Sequence, residues 1–212
     1  MRMRRKKHRE DRMANCSELI VEDISLFKDG AEKVFGNANP LRIEIGCGKG
    51  KFITETAAQN PGINFIAIEK CLDVLVLALE KVKAAGLTNV RFVPGDAFTL
   101  LQLDADGICD VIYINFCDPW KKNGYAKRRL THARFLELYG HILKKGGAVH
   151  FKTDNQKLFE FSLNSFADFG LRLKNITFDL HASGFEGNVM TEYETQFSSL
   201  GQPIYRCEAV FN

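Results

Sequence analysis

Four carboxylates sit where apolar runs end. Glu44 lies within RIEIG (42–46), Glu69 closes NFIAIE (64–69), Asp96 lies in PGDA (94–97), and Asp118 follows CDVIYINFC (109–117). The first two flank three alternating glycines, Gly46, Gly48 and Gly50. Glycines in such a loop let the backbone approach a ligand closely and turn sharply into a helix. A phosphate loop of the GxxxxGK[ST] type fails here, because position 45 is Ile and Phe52 follows Lys51. A dinucleotide GxGxxG fails as well, since Lys51 stands where the third glycine belongs. A carboxylate at position 44 suits a ligand with a positive amino group better than one with a pyrophosphate. Glu69 lies about 20 residues beyond the glycines, where an acidic side chain takes ribose hydroxyls. Asp96 is placed to accept a hydrogen bond from an adenine amine. Each acid alone is also a reasonable strand-end turn residue. Together they describe an adenosine with a free ribose and a charged amino group, which is S-adenosylmethionine.

Asp118-Pro119-Trp120 holds the chain's only tryptophan and precedes six Lys and Arg between Lys121 and Arg134, with no acid among them. A carboxylate, a proline-fixed turn and a ring that can stack suit the gripping of a nucleobase. The basic run suits a phosphate backbone, or, more plainly, a solvated helix start. Lys127, Arg128 and Arg129 are consecutive, so they do not share one helix face. Cys117 invites comparison with a cysteine nucleophile, but the proline follows Asp118 rather than Cys117, which leaves Cys117 a small strand-end residue. Asp154, in KTD, fits an N-cap of the next helix. Thr191-Glu192-Tyr193-Glu194 fits a capping box.

The elements that must position these groups alternate. Strands are expected over 41–46, 64–69, 90–97, 109–116 and 148–154. Helices are expected over 51–60, 72–86, 130–145, where Gly146-Gly147 reads as the stop, and 155–170. Two late strands, 171–180 and 204–211, suggest a terminal hairpin with one antiparallel strand. Alternation of this kind predicts an α/β fold, a mostly parallel seven-stranded sheet with helices on both faces. Ligands of such sheets bind beyond the carboxyl ends of the strands.

At 212 residues, 45% hydrophobic and 26% charged, the chain reads as one soluble domain. The first twelve residues carry seven Lys or Arg, so 1–15 reads as a basic, flexible tail. No secretory signal or membrane span is legible. The six cysteines and five histidines show no ligand spacing, so no metal is expected and a cytoplasmic location fits. His132, His141 and His150 read as structural. Phe159, Phe161, Phe166 and Phe169 read as helix packing.

The motifs EIGCGKG (44–50), GDA (95–97) and LKKGGAVHFKTD (143–154) resemble those of Rossmann-like class I methyltransferases. More narrowly, NFCDPW…KRRL, FKTD and TEYE resemble the bacterial tRNA (guanine-N7)-methyltransferases, the TrmB family. The resemblance runs from about residue 41 to the C-terminus. It implies S-adenosylmethionine as donor, S-adenosylhomocysteine as product, and tRNA as partner, with the variable-loop guanine at tRNA position 46 as target. It places Glu44, Gly46, Gly48, Gly50, Glu69, Asp96, Ala97 and Asp118 at the donor, with Asp118 also catalytic. It places Lys122, Asp154, Thr191 and Glu194 at the substrate. It sets Gly124, Tyr125, Lys127, Arg128 and Arg129 against RNA. The chain departs from the family at Asn123-Gly124-Tyr125, where an Arg and a His are missing. Alternatives are a methyltransferase acting on another RNA base nitrogen or a small molecule, and a non-catalytic RNA-binding module. Monomer and homodimer both remain open.

Overall fold

The computed structural model describes residues 6–212. Its seven strands are mostly parallel, with antiparallel pairing at the C-terminal end. The chain divides into two compact units, 1–105 and 106–212.

In the first unit, helix α1 (Arg9–Ala14) precedes short 3-10 turns at Ser17–Leu19 and Ile24–Phe27 and a single helical turn, α2 (Glu32–Phe35). Then come β1 (Leu41–Ile45), α3 (Lys51–Gln59), β2 (Asn64–Glu69), α4 (Leu72–Ala84), β3 (Val90–Pro94) and a 3-10 segment, Ala97–Leu103. Strands β1, β2 and β3 are parallel, with Ile45 opposite Ile68 and Ile68 opposite Val93. Residues 64–68 of β2 are buried without interruption, as expected of a strand covered on both faces. Phe65, Ile66, Leu75, Leu79 and Phe92 are all buried, with Phe65 and Ile66 serving opposite faces of the strand.

The basic tail departs from expectation. Positions 1–5 lie outside the described residues, but 9–14 are helical and packed on α4. The Arg12 guanidinium donates to both Glu80 oxygens at 2.6 Å. Arg9 meets Asp73 at 3.4 Å, and the Lys6 backbone N–H donates to Asp73 at 2.7 Å. The Arg9 and Arg12 side chains have acidic partners on α4, so this part of the tail is not a free polycation.

The second unit contains β4 (Cys109–Asn115), a 3-10 segment (Asn123–Arg128), α5 (Ala133–Ile142), β5 (Leu143–Thr153), α6 (Gln156–Asp168), β6 (Arg172–Thr177), α7 (Glu192–Ser198) and β7 (Tyr205–Val210). Strand β4 pairs parallel with β5, and β7 runs antiparallel to both β5 and β6. The expected antiparallel C-terminal strand is therefore present. The helix expected over 130–145 is shorter, because Leu143 already pairs with Cys109. Gly146 and Gly147 lie inside β5 rather than ending a helix. Gly146 has φ +79°, and a Cβ on Gly147 would come within 2.8 Å of the Lys144 carbonyl oxygen. Glycines inside a strand commonly mark such an irregularity. The N-cap of α6 is Asn155, whose side chain accepts the Leu158 N–H at 2.9 Å, not Asp154. Phe159 and Phe166 are buried as packing residues, and Phe169 packs on Phe211.

Candidate active site

Two constellations stand at strand ends, one in each unit. In the first, β1 carries Glu44, 1% exposed, and feeds directly into the glycine loop. Gly46, Gly48 and Gly50 have φ of +78°, +57° and +82°, a left-handed backbone that side chains other than glycine resist. A Cβ at 46 or 48 would meet no heavy atom within 4 Å, so that backbone is bare and approachable. Gly50 differs: its Cβ would lie 2.6 Å from the Ala78 Cβ, so α4 packs directly on the loop there.

Hydrogen bonds fix the loop. The N–H groups of Gly46 and Cys47 donate to the Ile68 carbonyl at 2.8 and 3.1 Å. The Gly48 N–H donates to Glu69 Oε2 at 3.1 Å, and the Cys71 N–H to Glu69 Oε1 at 2.8 Å. Glu69 therefore ties the glycine loop to the start of α4 and keeps further lone pairs on each oxygen. Asp96 caps the 3-10 segment by accepting the Phe98 N–H at 2.9 Å, and Ala97 is buried beside it.

In the second constellation β4 ends on buried Asn115, and the backbone then reverses hand twice. Phe116 has φ +54° and Trp120 φ +42°. Such a conformation costs a bulky residue about 1–3 kcal/mol and persists only where the surroundings enforce it. Asp118, between them, is exposed. Desolvation, with the neighbouring Asp118 carboxylate adding, pushes the Cys117 thiol up to about 12, so it is not a thiolate nucleophile at neutral pH.

The basic run divides by partner. Lys122, Gly124 and Lys127 are exposed. The Arg128 guanidinium carbon lies 4.9 Å from both the Trp120 and the Tyr125 ring centroids. Tyr125 meets Trp120 edge-on, 6.0 Å between centroids. Arg129, expected against RNA, donates to the carbonyls of Pro119 and Trp120 at 3.2 and 3.1 Å.

The TEYE segment adds buried partners that the spacing of residues did not foretell. Thr191 does cap α7, accepting the Glu194 N–H at 2.9 Å. Glu194, expected at the substrate, is fully buried and turned inward to Lys152 Nζ at 2.7 Å. Lys152 also donates to Asn188 Oδ1 at 3.0 Å and to the Val189 carbonyl at 2.9 Å. The other Glu194 oxygen accepts from Asn188 Nδ2 at 2.7 Å and lies 3.3 Å from His181 Nε2. Asp154 accepts the Tyr193 hydroxyl at 3.2 Å, and the Tyr193 ring packs against Phe116 with centroids 5.1 Å apart. Sequence reasoning missed Lys152, Asn188, His181 and Tyr193. For Lys152 a signal existed, since a lysine inside the apolar strand AVHFKT needs a buried partner. Among the described residues, no group of three or more His, Cys, Asp or Glu is placed to hold a metal. No helix among them is long and apolar enough to cross a membrane.

A family model described as "Putative methyltransferase" matches residues 38–207. Solved structures share the fold. An antibiotic-related methyltransferase aligns with a TM-score of 0.62, 19% identity, and coverage of 86% of this chain and 92% of its own. The 16S rRNA methyltransferase KamB aligns at 0.60, with 13% identity and 82% and 88% coverage. The sheet, the bare glycine loop and the strand-end carboxylates define a class I methyltransferase. Among curated proteins, the tRNA (guanine-N(7)-)-methyltransferase of Streptococcus thermophilus (strain CNRZ 1066) is 48% identical over 211 residues, 100% of this chain and 99% of that protein. The enzyme of the same name from Bacillus subtilis (strain 168) is 48% identical over 208 residues, 98% of each. The chain belongs to the tRNA (guanine-N(7)-)-methyltransferase family.

Proposed function

We propose that this protein transfers a methyl group from S-adenosylmethionine to N7 of a guanine in tRNA, the variable-loop guanine at tRNA position 46, in the cytoplasm. The observation that carries the reading is the exposed Asp118, held just beyond β4 between two left-handed aromatic residues, Phe116 and the chain's only tryptophan, Trp120.

The first constellation fits the donor. Gly46 and Gly48 offer bare backbone, Glu44 suits the amino group, Glu69 the ribose hydroxyls, and Asp96 with Ala97 the adenine. When bound, the donor supplies an electrophilic methyl group on a sulfonium centre. Guanine N7 carries a lone pair and no proton, so the protein needs no general base. It must orient the base and tolerate the positive charge that develops on the ring. Asp118 does both: it holds the base edge, and its carboxylate stabilises the cationic transition state. Trp120 offers a ring face to the base, a contact worth about 1–3 kcal/mol. Asp154 and Thr191 meet the target nucleoside, with Glu194 holding the segment from behind. Lys122, Lys127 and Arg128 contact the tRNA backbone, and Gly124-Tyr125 approaches it with an exposed ring.

The test is methyl transfer to unmodified tRNA followed by nucleoside mapping. Label at guanine N7 is expected, together with a loss of about 10²-fold or more in kcat for Asp118→Ala. Label at any other atom, or a wild-type rate in the variant, refutes the assignment.

A further inference from the structure

Between Phe116 and Trp120 the chain makes two excursions into left-handed backbone, and both fall on bulky aromatic residues. Strain of this kind relaxes unless neighbouring groups over-determine the conformation. Pro119 brings no N–H to the loop, which limits how the loop can brace itself. The brace comes from Arg129. Its Nε donates to the Pro119 carbonyl at 3.2 Å and one terminal nitrogen donates to the Trp120 carbonyl at 3.1 Å. The guanidinium carbon sits 4.3 Å from the Phe161 ring centroid, on α6. A planar fork satisfies two adjacent carbonyls while its face lies on an aromatic ring. A lysine ammonium has neither the second fixed donor nor the stacking plane. Phe161 therefore has a task besides helix packing, as the surface that orients the guanidinium.

We propose that Arg129 is a positioning residue for the Asp118–Trp120 loop and not a phosphate ligand. The proposal rests on the reading of Asp118 given above. Arg129 acts on the base only through the loop it holds, so its loss should disturb turnover more than tRNA attraction. Its neighbours divide the labour: Lys127 points to solvent, while Arg128 lies against Trp120 and Tyr125.

The chain offers a direct probe, because Trp120 is its single tryptophan. The full-length protein is compared with Arg129→Lys, Arg129→Ala and Phe161→Leu, each checked for folding by circular dichroism and melting. Acrylamide quenching of tryptophan fluorescence reads the loop. Methyl transfer gives kcat and KM for tRNA, and binding across a salt series gives the phosphate count. Arg129→Lys keeps the charge and is expected to lower kcat about 10- to 100-fold, the scale of a small misplacement at a reacting group. KM for tRNA and the salt slope should stay near wild type, and Trp120 should become more quenchable. Phe161→Leu should shift quenching and kcat in the same direction by less, and with Arg129→Lys it carries the test if Arg129→Ala does not fold. A wild-type kcat in Arg129→Lys, with Arg129→Ala lowering the salt slope by about one, identifies a phosphate contact and overturns the proposal. Should the wild-type protein place no methyl on N7, the functional reading fails. Quenching still decides the role of Arg129, and unchanged Trp120 accessibility in both Arg129 variants overturns it.

Discussion

Replacing Glu194 by Leu would take the carboxylate away from the Lys152 ammonium, 5% exposed as a residue, and leave it beside neutral acceptors that include Asn188 Oδ1 and the Val189 carbonyl. Replacing Lys152 by Met would leave a fully buried carboxylate facing Asn188 and His181. Breaking a buried pair in this way costs about 3–5 kcal/mol, because the surviving charge stays desolvated after losing its closest counter-ion. For a chain of this size, 1 kcal/mol moves the melting point by about 2–4 °C, so each single variant should melt roughly 6–20 °C lower. Removing both charges with residues of similar volume, Lys152→Met with Glu194→Leu, should recover most of the loss. The double-mutant cycle should show a coupling of roughly 2 kcal/mol or more. Thermal and urea melts of the four proteins measure it. If either single variant stays within about 1 kcal/mol of wild type, or the double variant loses the sum of the two, Glu194 is not held as described. Its family role at the substrate would then need no structural companion.

Three further outcomes follow from the same geometry. Gly50→Ala should lose roughly 2–4 kcal/mol, combining a left-handed alanine with a 2.6 Å approach to Ala78, and donor affinity should fall with it; a melting curve like that of the wild type counts against this packing. Cys117→Ser should retain methyl transfer, and the thiol should resist iodoacetamide at pH 8, since its pKa is pushed up to about 12 and the thiol form persists; rapid alkylation would contradict that. The hydrogen bond from Arg12 lowers the Glu80 pKa, so this contact stabilises the fold above the unfolded carboxylate pKa of about 4.3 and is lost as pH falls through the lower folded value. Arg12→Ala should therefore destabilise the fold slightly at pH 7, and the difference from wild type should shrink as pH falls below the unfolded carboxylate pKa, as melts across that range would show.

The sequence by itself determined the alternation of strands and helices, because burial on two faces writes continuous apolar runs such as 64–68 and amphipathic ones such as 72–84. It also determined the glycine loop, since only glycine accepts three left-handed positions so close together. The strand-end acids were legible for the same reason: charged groups do not end up at apolar strand termini without a use or a partner. Tertiary structure decided which partner each polar group takes. Arg129 turned to loop carbonyls, Glu194 to Lys152, and the α6 cap moved from Asp154 to Asn155. Gly146-Gly147 became part of β5, because Leu143 found Cys109 across the sheet. None of these choices is local. A hydrogen bond between residues ten or forty positions apart depends on where the fold brings them, and the spacing of residues along a chain carries no record of that.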